Sequence, residues 1–122
     1  MNHSLSNLFF SLTENASLER SGHASLNIRQ WDFRMENFSV GLKRRYLFGN
    51  EEEASVFEAR VKVRTERSPL FAIAHKMSGH PRVCVILRIK PEHEDIVRAA
   101  ELVVECERLY RSRFAPNAES VA

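Results

Sequence analysis

Phe38-Ser39-Val40-Gly41-Leu42-Lys43-Arg44-Arg45-Tyr46-Leu47-Phe48, read together with Phe57-Glu58-Ala59-Arg60-Val61-Lys62-Val63-Arg64, decides the fold. In the first run Phe38, Val40, Leu42, Tyr46 and Phe48 share one phase of a two-residue alternation, while Ser39, Gly41, Lys43 and Arg45 share the other. In the second, Phe57, Ala59, Val61 and Val63 alternate with Glu58, Arg60, Lys62 and Arg64. Both runs read as strands that are apolar on one side and cationic on the other, the pattern of a half-buried antiparallel sheet.

Working outward, Trp31, Phe33 and Met35 form a strand whose phase is opposite to that of Phe38, Val40 and Leu42. A turn or bulge must therefore fall near Glu36-Asn37. The acidic run Glu51–Glu53, after Gly49-Asn50, reads as a solvated turn closing the next hairpin. Ser68-Pro69 supplies an N-cap and a proline at the first helical position, and Leu70, Ile73, Ala74 and Met77 make a short apolar stripe that Gly79 ends. Val83-Cys84-Val85-Ile86-Leu87 reads as a central strand covered on both faces. At the start of the chain, Ser4 caps a short helix with Leu5, Leu8, Phe9 and Leu12 on one face, and residues 13–25 read as a loop.

The last element runs from about Pro91 to Phe114. Glu92, Glu94 and Asp95 crowd its first turn and Arg108, Arg111 and Arg113 its last, as a helix dipole favours. Ile96, Ala99, Ala100, Val103, Cys106 and Tyr110 form its main stripe, flanked by Val97 and Val104 on one side and Leu102 and Leu109 on the other. A helix this widely apolar needs a neighbour beyond the sheet, and the N-terminal helix or a second subunit can supply it.

The expected fold class is α+β: a mainly antiparallel sheet of about four strands with helices on one face, in the order α-β-β-β-α-β-α. The 122 residues make a single domain. Residues 1–25 are its N-terminal helix and loop, 26–114 its α+β core and 115–122 a flexible tail. In element order alone it is similar to the small dimeric chaperones of type III secretion systems, which are typically acidic. Here the formal charge is +2, and it is unevenly spread: residues 27–90 hold 13 Lys+Arg against 7 Asp+Glu, residues 91–122 hold 4 against 7.

Candidate chemistry is sparse. No nucleophile elbow, phosphate-cradling glycine loop, zinc-finger spacing or helix-turn-helix stands in the sequence. His75, His80, His93 and Cys84 fall at loose spacings better suited to surface histidines and a packed cysteine than to a metal site. The expectation is no enzyme, no catalytic residue, no cofactor and no metal. Leu8–Phe10 with Leu12 is too short for a signal or a membrane span, so a cytoplasmic protein with no membrane contact is expected.

Two functions compete. The first is a non-catalytic binding protein of adaptor, dedicated-chaperone or inhibitor type, acting through protein–protein contacts as a homodimer whose interface draws on Phe9, Phe10, Leu102 and Leu109. The alternative is an RNA-binding module that lays Arg34, Lys43, Arg45, Arg60, Lys62 and Arg64 against phosphates. The aromatic residues of the strands fall on the core-directed side, which weighs against base stacking.

Overall fold

The computed structural model describes residues 2–21, 30–67, 71–77 and 79–113. Its elements are α1 (Asn2–Ser21), β1 (Asp32–Glu36), β2 (Ser39–Leu47), α2 (Glu51–Glu66), β3 (Phe71–Lys76), β4 (Arg82–Ile89) and α3 (His93–Arg113). The four strands form one sheet in the spatial order β1-β2-β4-β3, with every neighbouring pair antiparallel. The fold is α+β with its helices on one face of the sheet, as the patterning implies. The order is α-β-β-α-β-β-α, which corrects the expected α-β-β-β-α-β-α. The similarity to secretion chaperones depends on three strands before the middle helix, and there are two.

The correction comes from two segments that exchange roles. Glu51–Glu66, expected to be a turn and a strand, is helix α2. Asn50 caps it: the Asn50 side-chain oxygen accepts from the Glu53 N–H at 2.8 Å, and its Nδ2 donates to Glu53 Oε1 at 3.2 Å. The three glutamates that would repel in a packed turn here face the positive end of a helix dipole. Ala54, Phe57 and Val61, at helical spacing, are the residues α2 buries. Val63, assigned by alternation to the sheet side, is 53% exposed. Phe71–Lys76, read as part of a helix, is instead strand β3, with Ala74 buried and Ile73 and His75 exposed. Gly79, at φ +75°, turns the chain into β4.

The core lies between the sheet and the helices. Val40, Leu42, Tyr46 and Phe48 lie beside Val83, Val85, Leu87 and Ile89 on the inner side of the sheet, and Ile96, Ala99, Ala100, Val103, Cys106 and Tyr110 of α3 belong to the same core. All six stripe residues of α3 are buried as the wheel requires. Phe48, Phe57 and Tyr110 close one end, with Phe48 5.1 Å from Phe57 and 5.4 Å from Tyr110 between ring centroids. At the other, α1 reaches the sheet through Phe9, whose ring lies 5.7 Å from that of Phe33 on β1. Thus α1 is longer than the short helix expected and continues through much of the segment read as a loop. Phe38 departs from its phase. The register pairs Glu36 with Ser39, so Asn37 and Phe38 form a two-residue hairpin turn, with Asn37 at φ 54° and Phe38 92% exposed. The expected tail, 115–122, lies outside the described residues.

Candidate functional site on the open face of the sheet

With every helix on one side, the outer face of the sheet is left to the alternate residues of each strand. The register arranges them in rows: Arg34, Gly41 and Arg88; then Asp32, Lys43, Ile86 and Ile73; then Arg45, Cys84 and His75. A concave surface of about 510 Å³ opens over the β1, β2 and β4 part of this face, lined by Arg34, Gly41, Lys43, Arg45, Ile86 and Arg88 among others. Its depth has a simple origin, because Gly41 puts no side chain between Arg34 and Arg88. A Cβ built on Gly41 would approach nothing closer than the Arg34 carbonyl oxygen at 3.9 Å. The trough is vacant space over a strand, and no close packing requires a glycine there.

The electrostatics of this face are cationic. Arg34, Lys43, Arg45, Arg82 and Arg88 stand against Asp32 and Glu36. Asp32 accepts from Arg34 Nε at 2.7 Å and lies opposite Lys43 in the register, so the β1 side is partly neutralised. Arg45 faces Cys84 and Lys43 faces Ile86 on β4. Apolar surface runs alongside the charges: Ile86 is half-buried, while Ile73 and Leu47 are exposed.

Of the six basic residues expected to share one face, Arg34, Lys43 and Arg45 do so. Arg60, Lys62 and Arg64 are on α2, on the far side of the sheet. Lys62 pairs with Glu58 at 3.5 Å and Arg64 with Glu105 of α3 at 3.8 Å. Arg88 of β4, opposite Gly41, joins Arg34, Lys43 and Arg45 on the outer face. The expected interface residues are also relocated: Phe9, Leu102 and Leu109 are buried within the chain and Phe10 is half-buried against it. The cover that the broad apolar surface of α3 demands is supplied by α1, the intramolecular alternative.

A second constellation lies inside the molecule. Arg44 and Glu107 are 5% and 2% exposed, and Arg44 Nε donates to Glu107 Oε2 at 3.2 Å. The same oxygen accepts from Trp31 Nε1 at 3.0 Å and from the Tyr46 hydroxyl. Arg44 also donates through Nη1 to the Arg45 carbonyl at 2.8 Å and stacks its guanidinium 4.3 Å from the Tyr46 ring centroid. Burial raises the Glu107 carboxyl above its ordinary value, against the pull of Arg44 and the three donors, and burial likewise raises the Tyr46 hydroxyl. These bonds pin α3 to β2 and to the residue leading into β1. With three donors on one oxygen, the carboxylate is fixed in place.

The remaining reactive groups are placed as follows. Cys84 and Cys106 are free and buried, and burial pushes the Cys106 thiol up to about 12. His75 lies opposite Cys84 in the register. Among the described residues no three His, Cys, Asp or Glu side chains converge as a metal-binding group. No described helix is long and apolar enough to cross a membrane. A scan against protein-family models finds no match, and neither the curated proteins nor the solved structures yield one.

Proposed function

We propose that the protein is a non-catalytic binding protein that holds an acidic, partly apolar segment of a partner protein on the open face of its sheet, in an adaptor, chaperone or inhibitor role. One observation carries this reading: a whole sheet face lies outside the helical layer, with the Gly41 trough set between Lys43, Arg45 and Arg88 and bordered by Ile86. Carboxylates of a partner would meet the cations, and its apolar side chains would meet Ile86 and Ile73. Nucleic acid is the less favoured ligand. Trp31, Tyr46 and Phe48 are buried and Phe33 packs against the core, which leaves them unable to stack bases, and the exposed Phe38 stands in the β1–β2 turn as a single ring, not a row of stacking aromatics on the sheet.

Selection from a random peptide display library tests this directly. The native chain should enrich acidic sequences with interspersed apolar residues, and Lys43→Glu/Arg45→Glu should enrich none of them. Gly41→Val should also lose them while remaining folded, because the position is extended and open and valine favours strands. A library that yields no enriched sequence removes the reading. Tight, steeply salt-dependent binding of single-stranded RNA that the double variant abolishes would replace it with the nucleic-acid alternative.

A further inference from the structure

The two edges of the sheet are built differently. At one edge β1 is five residues long and carries Asp32, Arg34 and Glu36, the short charged form that discourages strand addition. At the other edge β3 reads Phe-Ala-Ile-Ala-His-Lys, with its one charge at the last residue. Met77 donates its N–H to the Arg82 carbonyl at 2.9 Å, continuing the β3–β4 ladder. Backbone groups alternate in direction along an antiparallel strand. Ile73 and His75 therefore bond toward β4, and Ala72, Ala74 and Lys76 point off the edge. Glu58 of α2 reaches round to accept the Lys76 N–H at 2.7 Å. Among the described residues the edge groups of Ala72 and Ala74 have no such partner.

We propose that a second copy of this chain pairs along β3, antiparallel, about a twofold axis through Ile73, to give a continuous eight-stranded sheet. The occupant follows from the self-complementarity of the edge. With Ile73 opposite Ile73 of the second copy, each Ala72 lies opposite an Ala74, and the unpaired N–H and C=O groups of both strands satisfy one another in four hydrogen bonds. The pairing does not call on the Lys76 N–H that Glu58 holds. A symmetric register moved by one residue, with Ala74 opposite itself, would need that N–H. Charge fits as well: Lys76 falls outside the Ala72–Ala74 core, so no like charges oppose one another across the axis. Ile73, 42% exposed on the outer face, becomes covered by its own copy at a non-hydrogen-bonded position, where side chains of paired strands are closest. The inference is independent of what binds the Gly41 trough.

Oxidative cross-linking of Ile73→Cys reads the axis itself. At a non-hydrogen-bonded pair the Cα atoms are about 4.5 Å apart, within reach of a disulfide. Cys84 and Cys106 are buried and do not compete. At micromolar concentration under a mild oxidant, Ile73→Cys should convert to a covalent species of twice the 14.1 kDa chain mass much faster than Val56→Cys, an exposed position on α2. By light scattering the native chain should have the dimer mass. Ile73→Lys should have the monomer mass with an unchanged far-ultraviolet spectrum, because its exposed site tolerates lysine in the single chain. Cross-linking of Ile73→Cys no faster than Val56→Cys would overturn the proposal, as would a monomeric native chain or a dimer that survives Ile73→Lys.

Discussion

At the scale of single residues, the Arg44–Glu107 pair shows what an alternating sequence does and does not disclose. Arg44 occupies the same phase as Val40, Leu42 and Tyr46, and Glu107 follows Val103 and Cys106 on the inner side of α3. Each is a charge on a buried face, and such a charge requires a partner. That much was legible in the sequence. Their meeting was not, because the alignment of α3 along β2 is set by packing between residues 63 positions apart in the chain. The pair also fixes a pH dependence. Burial raises the Glu107 pKa in the folded chain above its unfolded value, so the folded state binds the proton more readily. The associated stability is present in full below the unfolded pKa and is lost as the pH rises through the folded one. Glu107→Gln removes this titration. The melting temperature of the native chain minus that of Glu107→Gln should therefore be larger near about pH 4 than near about pH 8. A difference that is flat or grows with pH would mean that Arg44, and not burial, dominates the carboxyl.

At the scale of elements, α3 and the β1–β2 hairpin were readable while α2 and β3 were not. The α3 stripe extends over several turns and is corroborated by opposite charges at its two ends, so its period has no competitor. Residues 57–64 instead alternate in polarity, while Ala54, Phe57 and Val61 at the same time satisfy a helical face. The deciding signal was Asn50 followed three residues later by Glu53, a cap that converts the acidic run from a repulsive turn into the first turn of a helix. In β3, six residues are too few to separate the two periods. Asn50→Ala should accordingly lower stability by about 1 kcal/mol in a denaturant titration, the usual cost of a lost N-cap. A change within experimental error would place the N-terminal stabilisation of α2 elsewhere.

At the scale of the whole molecule, α1 beside α3, and α2 over the β3 side, complete one helical layer and leave one sheet surface to solvent. The basic character of residues 27–90 anticipated a cationic surface, but the exchange of α2 and β3 divides it. Half of the expected cations go to α2, where Lys62 and Arg64 pair with glutamates. The half left on the sheet surrounds a trough that exists because of Gly41, and the sequence could not reveal it without the register that places Gly41 between Arg34 and Arg88. This open face is where we propose that the partner binds. The most direct test of that proposal is an amide chemical-shift titration of the isotopically labelled native chain with an acidic display-selected peptide. Shifts should concentrate at Gly41, Lys43, Arg45, Ile86 and Arg88, saturate with added peptide and weaken with salt. Saturating shifts concentrated instead on α2 and α3, with these five amides unmoved, would contradict the proposal.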